Sequence, residues 1–101
     1  MKRGTTPTNT FSVDVDLTGT TIFVSYEQDG KVVVEKTGSD LTVGTNSISL
    51  VLSQEETLAF HPGPVNIQIR YVDVYGTADA SNIIKTTAER IIKDGVIQYG
   101  V

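Results

Sequence analysis

Short runs in which apolar and polar residues alternate recur along this chain, and turn-forming residues follow each run. The clearest runs are Phe11–Val15, Ile22–Tyr26, Ile48–Leu52 and Val65–Tyr71. A period of two places alternate side chains on opposite faces of a β-strand, so each run can bury one face and leave the other in water. Several such strands in succession are typical of a two-sheet sandwich or a small barrel. The pattern therefore predicts an architecture and leaves the function open.

The alternation and its turn residues divide the chain into about seven or eight strands with one short helix. Asp29-Gly30 and Lys93-Asp94-Gly95 are hairpin signals, since glycine tolerates positive φ. Ser53 and Glu56 have the spacing of a capping box, which predicts a helix near residues 54–60. The predicted strands are Thr8–Asp16, Thr21–Gln28, Lys31–Lys36, Leu41–Val43, Ser47–Ser53, Val65–Asp73, Ser81–Ile92 and Val96–Tyr99.

The pattern also predicts how particular side chains pack. Val15 and Leu17 continue the inward face of the first strand. The unbroken apolar run Val32–Val34 is expected to be covered on both faces. Leu58 and Phe60 are expected to close one end of the sandwich after the short helix. The burial of these side chains therefore tests the predicted packing of the sandwich.

The length and composition limit the class of protein. A chain of 101 residues is long enough for one domain with its own core. The absence of cysteine excludes disulfides, thiolate nucleophiles and thiolate metal sites. No apolar run approaches the roughly 20 residues of a membrane span, and a polar segment stands where a signal peptide needs an apolar one. We therefore expect a soluble, complete gene product made in the cytoplasm.

The charge distribution argues against a nucleic-acid partner. The formal net charge is −4, and the eight Lys and Arg residues are scattered except for Lys2-Arg3. A phosphate-binding surface needs these residues concentrated. The four tyrosines are not interleaved with basic residues, as a stacking platform for single strands requires.

The chain carries no recognisable pattern of catalytic residues. His61 is its single histidine and directly precedes Pro62, which favours an exposed turn. No Gly-x-Ser-x-Gly elbow is present, and the glycines occur singly rather than in a phosphate-binding pattern. We therefore assign no catalytic residue, no cofactor, no metal and no small-molecule substrate, and expect that the protein is not an enzyme.

Four aspartates are the strongest competing candidates for a chemical site. Asp14 and Asp16 are expected on one strand face, where two carboxylates could bind Ca²⁺ or act as a glycosidase pair. Asp73 and Asp79 flank a later turn and could join them. The alternative is that acidic residues on the wet face of an edge strand discourage unwanted pairing between sheets.

Two further pairs have a structural and a functional interpretation. Glu55 and Glu56 could form an acidic site, but capping and the helix N-terminus account for both carboxylates. Tyr71 and Tyr75 lie on either side of a turn and could anchor a ligand or close an edge of the sandwich. A carbohydrate- or host-surface-binding module would need a groove containing exposed Tyr71, Tyr75 or Tyr99, and the absence of tryptophan counts against it.

Several segments together carry a resemblance to a known group of proteins. Met1–Thr8, Val24–Val33, Leu52–Phe60 and Asp79–Ile84 resemble small proteins encoded in bacteriophages and prophages of Gram-positive, largely gut-dwelling bacteria. The turn at Leu17–Gly19 and the short helix before a long strand resemble the immunoglobulin-like N-terminal domain of phage baseplate upper proteins. The resemblance implies an immunoglobulin-like sandwich and a structural component of tail or baseplate type, located in the virion.

Small β domains commonly join symmetric assemblies through sheet edges and ordered arms. Residues 1–7 form a polar arm, expected to be flexible unless a partner orders it, and residues 8–101 form the sandwich domain. The expected partners are other virion proteins or further copies of the chain. Alternatively, the apolar segment from Ile91 onward forms a last core hairpin. The candidate assembly contacts are Lys2, Arg3, Thr5, Pro7, Ile92, Val96, Ile97 and Tyr99.

Overall fold

The structure, a computed structural model, describes residues 1–100 as a sandwich of two antiparallel sheets. The predicted all-β sandwich is confirmed, with eight strands in the described residues. A short helix, α1, spans Gln54–Leu58, and a single 3-10 turn spans Gly38–Asp40. The strands are β1 Thr8–Ser12, β2 Thr21–Gln28, β3 Lys31–Thr37, β4 Thr42–Val43, β5 Ser47–Val51, β6 Gly63–Val72, β7 Ala78–Ala80 and β8 Ile84–Ala88.

The two sheets differ in size. The smaller has three strands in the order β1-β5-β4. The larger has five strands, with β3 at one edge, β2 next to it and β6 beyond. At ten residues, β6 is long enough for two strands to share its far edge: β8 pairs with Gly63–Ile67 and β7 with Arg70–Val72. No helix in residues 1–100 is long and apolar enough to cross a membrane.

The core lies between the sheets and follows the predicted alternation. Its main side chains come from β2, β5 and β6 and are at most 4% exposed. Phe60, 1% exposed, closes one end with its ring centroid 6.3 Å from that of Tyr26, whereas Leu58 is only half-buried. Burial of each large apolar side chain stabilises the fold by about 1.5–3 kcal/mol. These strand residues are Ile22, Val24, Tyr26, Ile48, Leu50, Val65, Ile67 and Ile69.

The predicted capping box at the start of α1 is confirmed. Ser53 Oγ accepts a hydrogen bond from the Glu56 N–H at 3.1 Å, and Glu56 Oε1 accepts one from the Ser53 N–H at 2.8 Å. A helix of five residues is too short to be stable alone in water. Its contacts with the rest of the fold must therefore hold it in place.

The first strand is shorter than the sequence predicts. It ends at Ser12 rather than Asp16, and Val15 is 36% exposed, whereas Leu17 is buried as expected. Asp16 Oδ1 accepts a hydrogen bond from the Thr18 N–H at 2.9 Å. Ser12 already pairs with Ser47, the first residue of β5, so the ladder has no partner strand beyond it, and the local bond of Asp16 belongs to the turn that follows.

The apolar run in β3 was predicted to be covered on both faces, and this prediction is wrong. Val34 is buried, but Val32 is 59% exposed because β3 is an edge strand. Its pairing with β2 shifts register between Tyr26 and Glu27, leaving Val33 as the extra residue of a bulge.

The last third of the chain departs most from prediction. Of the expected strand Ser81–Ile92 only Ile84–Ala88 forms, as β8, and the short strand β7 before it was not predicted. Directly after β7, Ser81 Oγ accepts the hydrogen bond of the Ile69 N–H in place of a backbone carbonyl, which interrupts the ladder. The predicted strand Val96–Tyr99 and its core hairpin are absent from the described residues. The backbone of Glu89, which would lie opposite Tyr99 in that hairpin, is already bonded to the N-terminal arm.

Candidate assembly surface at the two termini

The N-terminal arm lies on the sandwich rather than free of it. Met1 accepts a backbone hydrogen bond from Glu89 at 2.8 Å, and Arg3 donates one to Glu89 at 3.1 Å. The terminal ammonium donates to the Thr87 carbonyl at 2.9 Å. These bonds continue the edge of β8 in parallel pairing, so the arm covers backbone groups that would otherwise be open.

Arg3 joins the arm to the end of α1. Its guanidinium donates from Nε to the Phe60 carbonyl at 2.5 Å and from Nη2 to the Leu58 carbonyl at 3.1 Å. The last carbonyls of a helix lack intrahelical partners, so Arg3 satisfies groups that helix geometry leaves open. Its Nη1 also lies 3.3 Å from Asp94 Oδ1, and the side chain is only 15% exposed.

Two further hydrogen bonds fix the second half of the arm. The buried Thr57 of α1 donates from Oγ1 to the Thr5 carbonyl at 2.9 Å. The Leu52 N–H donates to the Pro7 carbonyl at 3.0 Å, just before β1 begins. The arm is therefore bonded to strand and helix residues from its first residue to its last.

The C-terminal tail, residues 91–100, reaches the same end of the sandwich. A Cβ placed on Gly4 would lie 2.9 Å from Ile91 Cδ1, so this side chain rests on the arm. Gln54 of α1 accepts from the Ile97 N–H at 2.9 Å and donates to the Ile97 carbonyl at 3.0 Å. The arm, α1 and the tail together form what we call the terminal surface.

The terminal surface leaves large apolar side chains in water. In the tail, Ile92 is 95% exposed, Val96 47%, Ile97 55% and Tyr99 106%. Exposed apolar groups gathered in one region mark sites of interaction with other molecules. These four and the exposed Lys2 are available to a partner.

The other candidate contacts in the arm have internal roles. Arg3 is bonded to α1 and paired with Asp94, and the carbonyls of Thr5 and Pro7 accept hydrogen bonds from Thr57 and Leu52.

Sequence reasoning selected both terminal segments but missed α1, which joins them. The pairing of Arg3 with carbonyls far along the chain has no local sequence signal.

His61 lies outside the terminal surface, in an exposed turn. Its Nε2 pairs with Asp29 Oδ2, and both side chains are more than half exposed. Hydrogen bonding to Asp29, then to the Pro62 carbonyl, raises the pKa of His61 above its usual 6.5. The buried Gln28 braces this turn, accepting from the His61 N–H and donating to its carbonyl. This arrangement stabilises a turn.

The four aspartates do not form the predicted pair of strand carboxylates. Asp14 and Asp16 lie beyond the end of β1, and hydrogen bonds from Thr18 lower the pKa of Asp16. Asp73 Oδ1 accepts two backbone hydrogen bonds within its own turn. Within residues 1–100, no three His, Asp or Glu side chains are arranged to hold a metal ion.

The two tyrosines do line a common groove, at the β6–β7 turn. Tyr75 is 90% exposed, whereas Tyr71 is partly buried and donates to Asp79 Oδ2 at 3.3 Å. Burial and the nearby Asp79 carboxylate raise the pKa of Tyr71. The groove encloses about 590 Å³, and Asp16 and Asp73 also line it.

No protein-family model matches the chain, and no curated protein matches it.

Proposed function

We propose that this protein is a non-enzymatic structural component of a bacteriophage or prophage particle, of tail or baseplate type. It is made in the cytoplasm of the host bacterium and enters the virion by binding other virion proteins or further copies of itself. The observation that carries the proposal is the convergence of both termini on α1, with four large apolar side chains of the tail left in water.

The rigidity of the terminal surface supports a role in assembly. Arg3, Thr57 and Gln54 fix the arm and part of the tail through side-chain hydrogen bonds. A surface that is already ordered loses less conformational entropy on binding than a free arm does. The resemblance to phage proteins and to an immunoglobulin-like baseplate domain points to the same class of role.

The test is the presence of the chain in purified particles. Particles from an induced lysogen that carries this gene should contain the protein in constant ratio to tail proteins, measured by quantitative mass spectrometry. Ile92→Asp should reduce incorporation, since it places a charge in the exposed tail. Val74→Asp is the matched control, because Val74 is 79% exposed in the β6–β7 turn, outside the terminal surface. Absence of the wild-type chain from particles would overturn the proposal.

The groove at Tyr71 and Tyr75 favours a second candidate, a module that binds carbohydrate or a host surface. An exposed aromatic ring can pack against the apolar face of a sugar, and the nearby carboxylates can accept hydrogen bonds from its hydroxyls. Host cell-wall oligosaccharides should then shift amide resonances of Thr18 and Thr77, which line the groove. Tyr75→Ala should abolish these shifts, and Tyr99→Ala should leave them unchanged. Unshifted resonances at saturating oligosaccharide would exclude this candidate.

A further inference from the structure

We infer that the tail of one copy adds as a strand to the free edge of β1 in a second copy. The tail would lie in the groove between β1 and β8. This inference rests on the proposed assembly function and names its partner and docking geometry.

The two sheets leave one side of the sandwich open. β1 pairs only with β5. β8 pairs with β6 on one side, and on its other side the N-terminal arm contacts it only near Thr87. A groove of about 370 Å³ runs between these edges, lined in part by Phe11 and Ile84. Phe11 is half-buried and Ile84 is 37% exposed, so both offer apolar contact.

The edge of β1 is open to strand addition, unlike that of β3. Thr8–Ser12 contains no charge and no proline, and its register with β5 is continuous. β3 carries Lys31, Glu35 and Lys36, and its pairing with β2 contains a bulge. Charges and bulges are the usual means by which an edge strand avoids pairing with another chain. β1 lacks both.

The tail has the chemistry of the missing strand. Residues 95–100 carry no charge, so they match the uncharged edge of β1 without unpaired ions. Ile97 and Tyr99 lie two positions apart and therefore share one face of an extended strand. In a single copy these side chains are 55% and 106% exposed. Added to β1, they would face Phe11 and Ile84 across the groove.

The partner is a second copy because the tail is held elsewhere in its own. Both backbone polar groups of Ile97 are bonded to the side chain of Gln54, the first residue of α1. Every copy carries one tail and one groove, so the contact produces either a reciprocal dimer or a head-to-tail ring or chain.

Two complementary variants test this. Ile97→Asp disables the tail and keeps the groove, whereas Ile84→Lys disables the groove and keeps the tail. Light scattering over a wide concentration range should show association of the wild type and of the Val74→Asp control. Each disabled variant alone should be monomeric, and an equimolar mixture should form a one-to-one complex, since it contains one intact tail and one intact groove.

Circular dichroism checks that each variant is folded. If Ile84→Lys does not fold, Thr10→Lys replaces it, because this substitution places a charge on the exposed face of β1. Association of both disabled variants at wild-type strength, or a mixture that stays monomeric, would overturn the inference. The wild type could also be monomeric, with β1 amides that are protected from hydrogen exchange only when Ile97 is intact. This result would show that the tail fills the groove of its own copy, and it would also overturn the inference. A chain present in particles but monomeric in solution would refute this inference and leave the proposed function standing.

Discussion

Arg3 and Leu58 are joined by a hydrogen bond although 55 positions separate them in the sequence. The guanidinium Nη2 lies 3.1 Å from the Leu58 carbonyl oxygen, at the end of α1. A residue of the N-terminal arm thus completes the hydrogen bonding of a helix in the middle of the chain. The arm is part of the folded structure.

Arg3→Ala should lower the free energy of unfolding by about 1–3 kcal/mol, because it leaves partly buried carbonyls without a donor. Urea denaturation measures this change. Lys2→Ala is the control: Lys2 is exposed, and its loss should cost at most about 0.5 kcal/mol. Equal effects of the two substitutions would show that the arm does not stabilise α1.

Gly4→Ala should destabilise the fold more than Gly19→Ala. Both glycines have positive φ, +71° and +74°, where an added side chain costs about 1–2 kcal/mol. Only at Gly4 would the new Cβ lie 2.9 Å from Ile91 Cδ1, whereas at Gly19 it would meet open space. Urea denaturation of both variants isolates the contact between arm and tail. If their unfolding free energies fall equally, Ile91 does not pack on the arm.

Asp29→Asn should lower the pKa of His61 toward 6.5, since the bond to Asp29 is the main cause of its rise. Asparagine also tolerates the positive φ of 54° at position 29. The chain has one histidine, so its imidazole NMR signals are unambiguous. Asp79→Asn is the control: its carboxylate accepts from Tyr71 and is not among the groups that shift His61, so the titration should be unchanged. A His61 titration identical in Asp29→Asn and wild type would contradict the pairing.

The same pairing sets the sign of one pH effect on stability. The folded-state pKa of His61 is raised, so its ion pair stabilises the fold fully below about pH 6.5. The contribution disappears as the pH rises through the raised pKa. The difference in unfolding free energy between wild type and Asp29→Asn should therefore shrink from pH 6 to pH 8, by urea denaturation.

Glu56→Gln should matter at neutral pH and lose its effect in acid. Partial burial alone would raise the pKa of Glu56, but hydrogen bonds from Lys36 and Ser53 outweigh it and lower the pKa below 4.5. Its contribution is present above the unfolded-state pKa and is lost as the pH falls through the folded-state value. The gap in urea midpoint between wild type and Glu56→Gln should therefore close on acidification. Glu55→Gln, exposed on the same helix, should show no comparable gap.

The sequence predicted those elements whose signals are local. The strand β2 has the predicted bounds, and the capping box of Ser53 and Glu56 forms as the spacing indicated. Predictions were wrong where the partner strand ended, as it does opposite Ser12, or where a side chain competed with the ladder, as Ser81 does. Such competition depends on the turn that the backbone adopts, which residue type alone does not reveal.

The candidate surface could be predicted only in part. Both terminal segments were selected from their composition, but the role of Arg3 and the docking of the tail on Gln54 depend on distant backbone groups. The composition of the tail permitted either a core hairpin or an exposed arm. The N-terminal arm already occupies the backbone of Glu89, which the hairpin would need opposite Tyr99, and the tail is therefore left as the exposed segment.

The amino-acid order by itself determined the two-sheet architecture, because alternation and turn residues act over a few neighbouring positions. Only the tertiary structure decided that both termini meet at α1, that β1 keeps an open edge and that the tail remains in water. These features depend on which backbone hydrogen-bonding groups are already occupied once the sheets have formed. Partners 50 or more positions apart, such as Arg3 and Leu58, compete for those groups only in the folded chain.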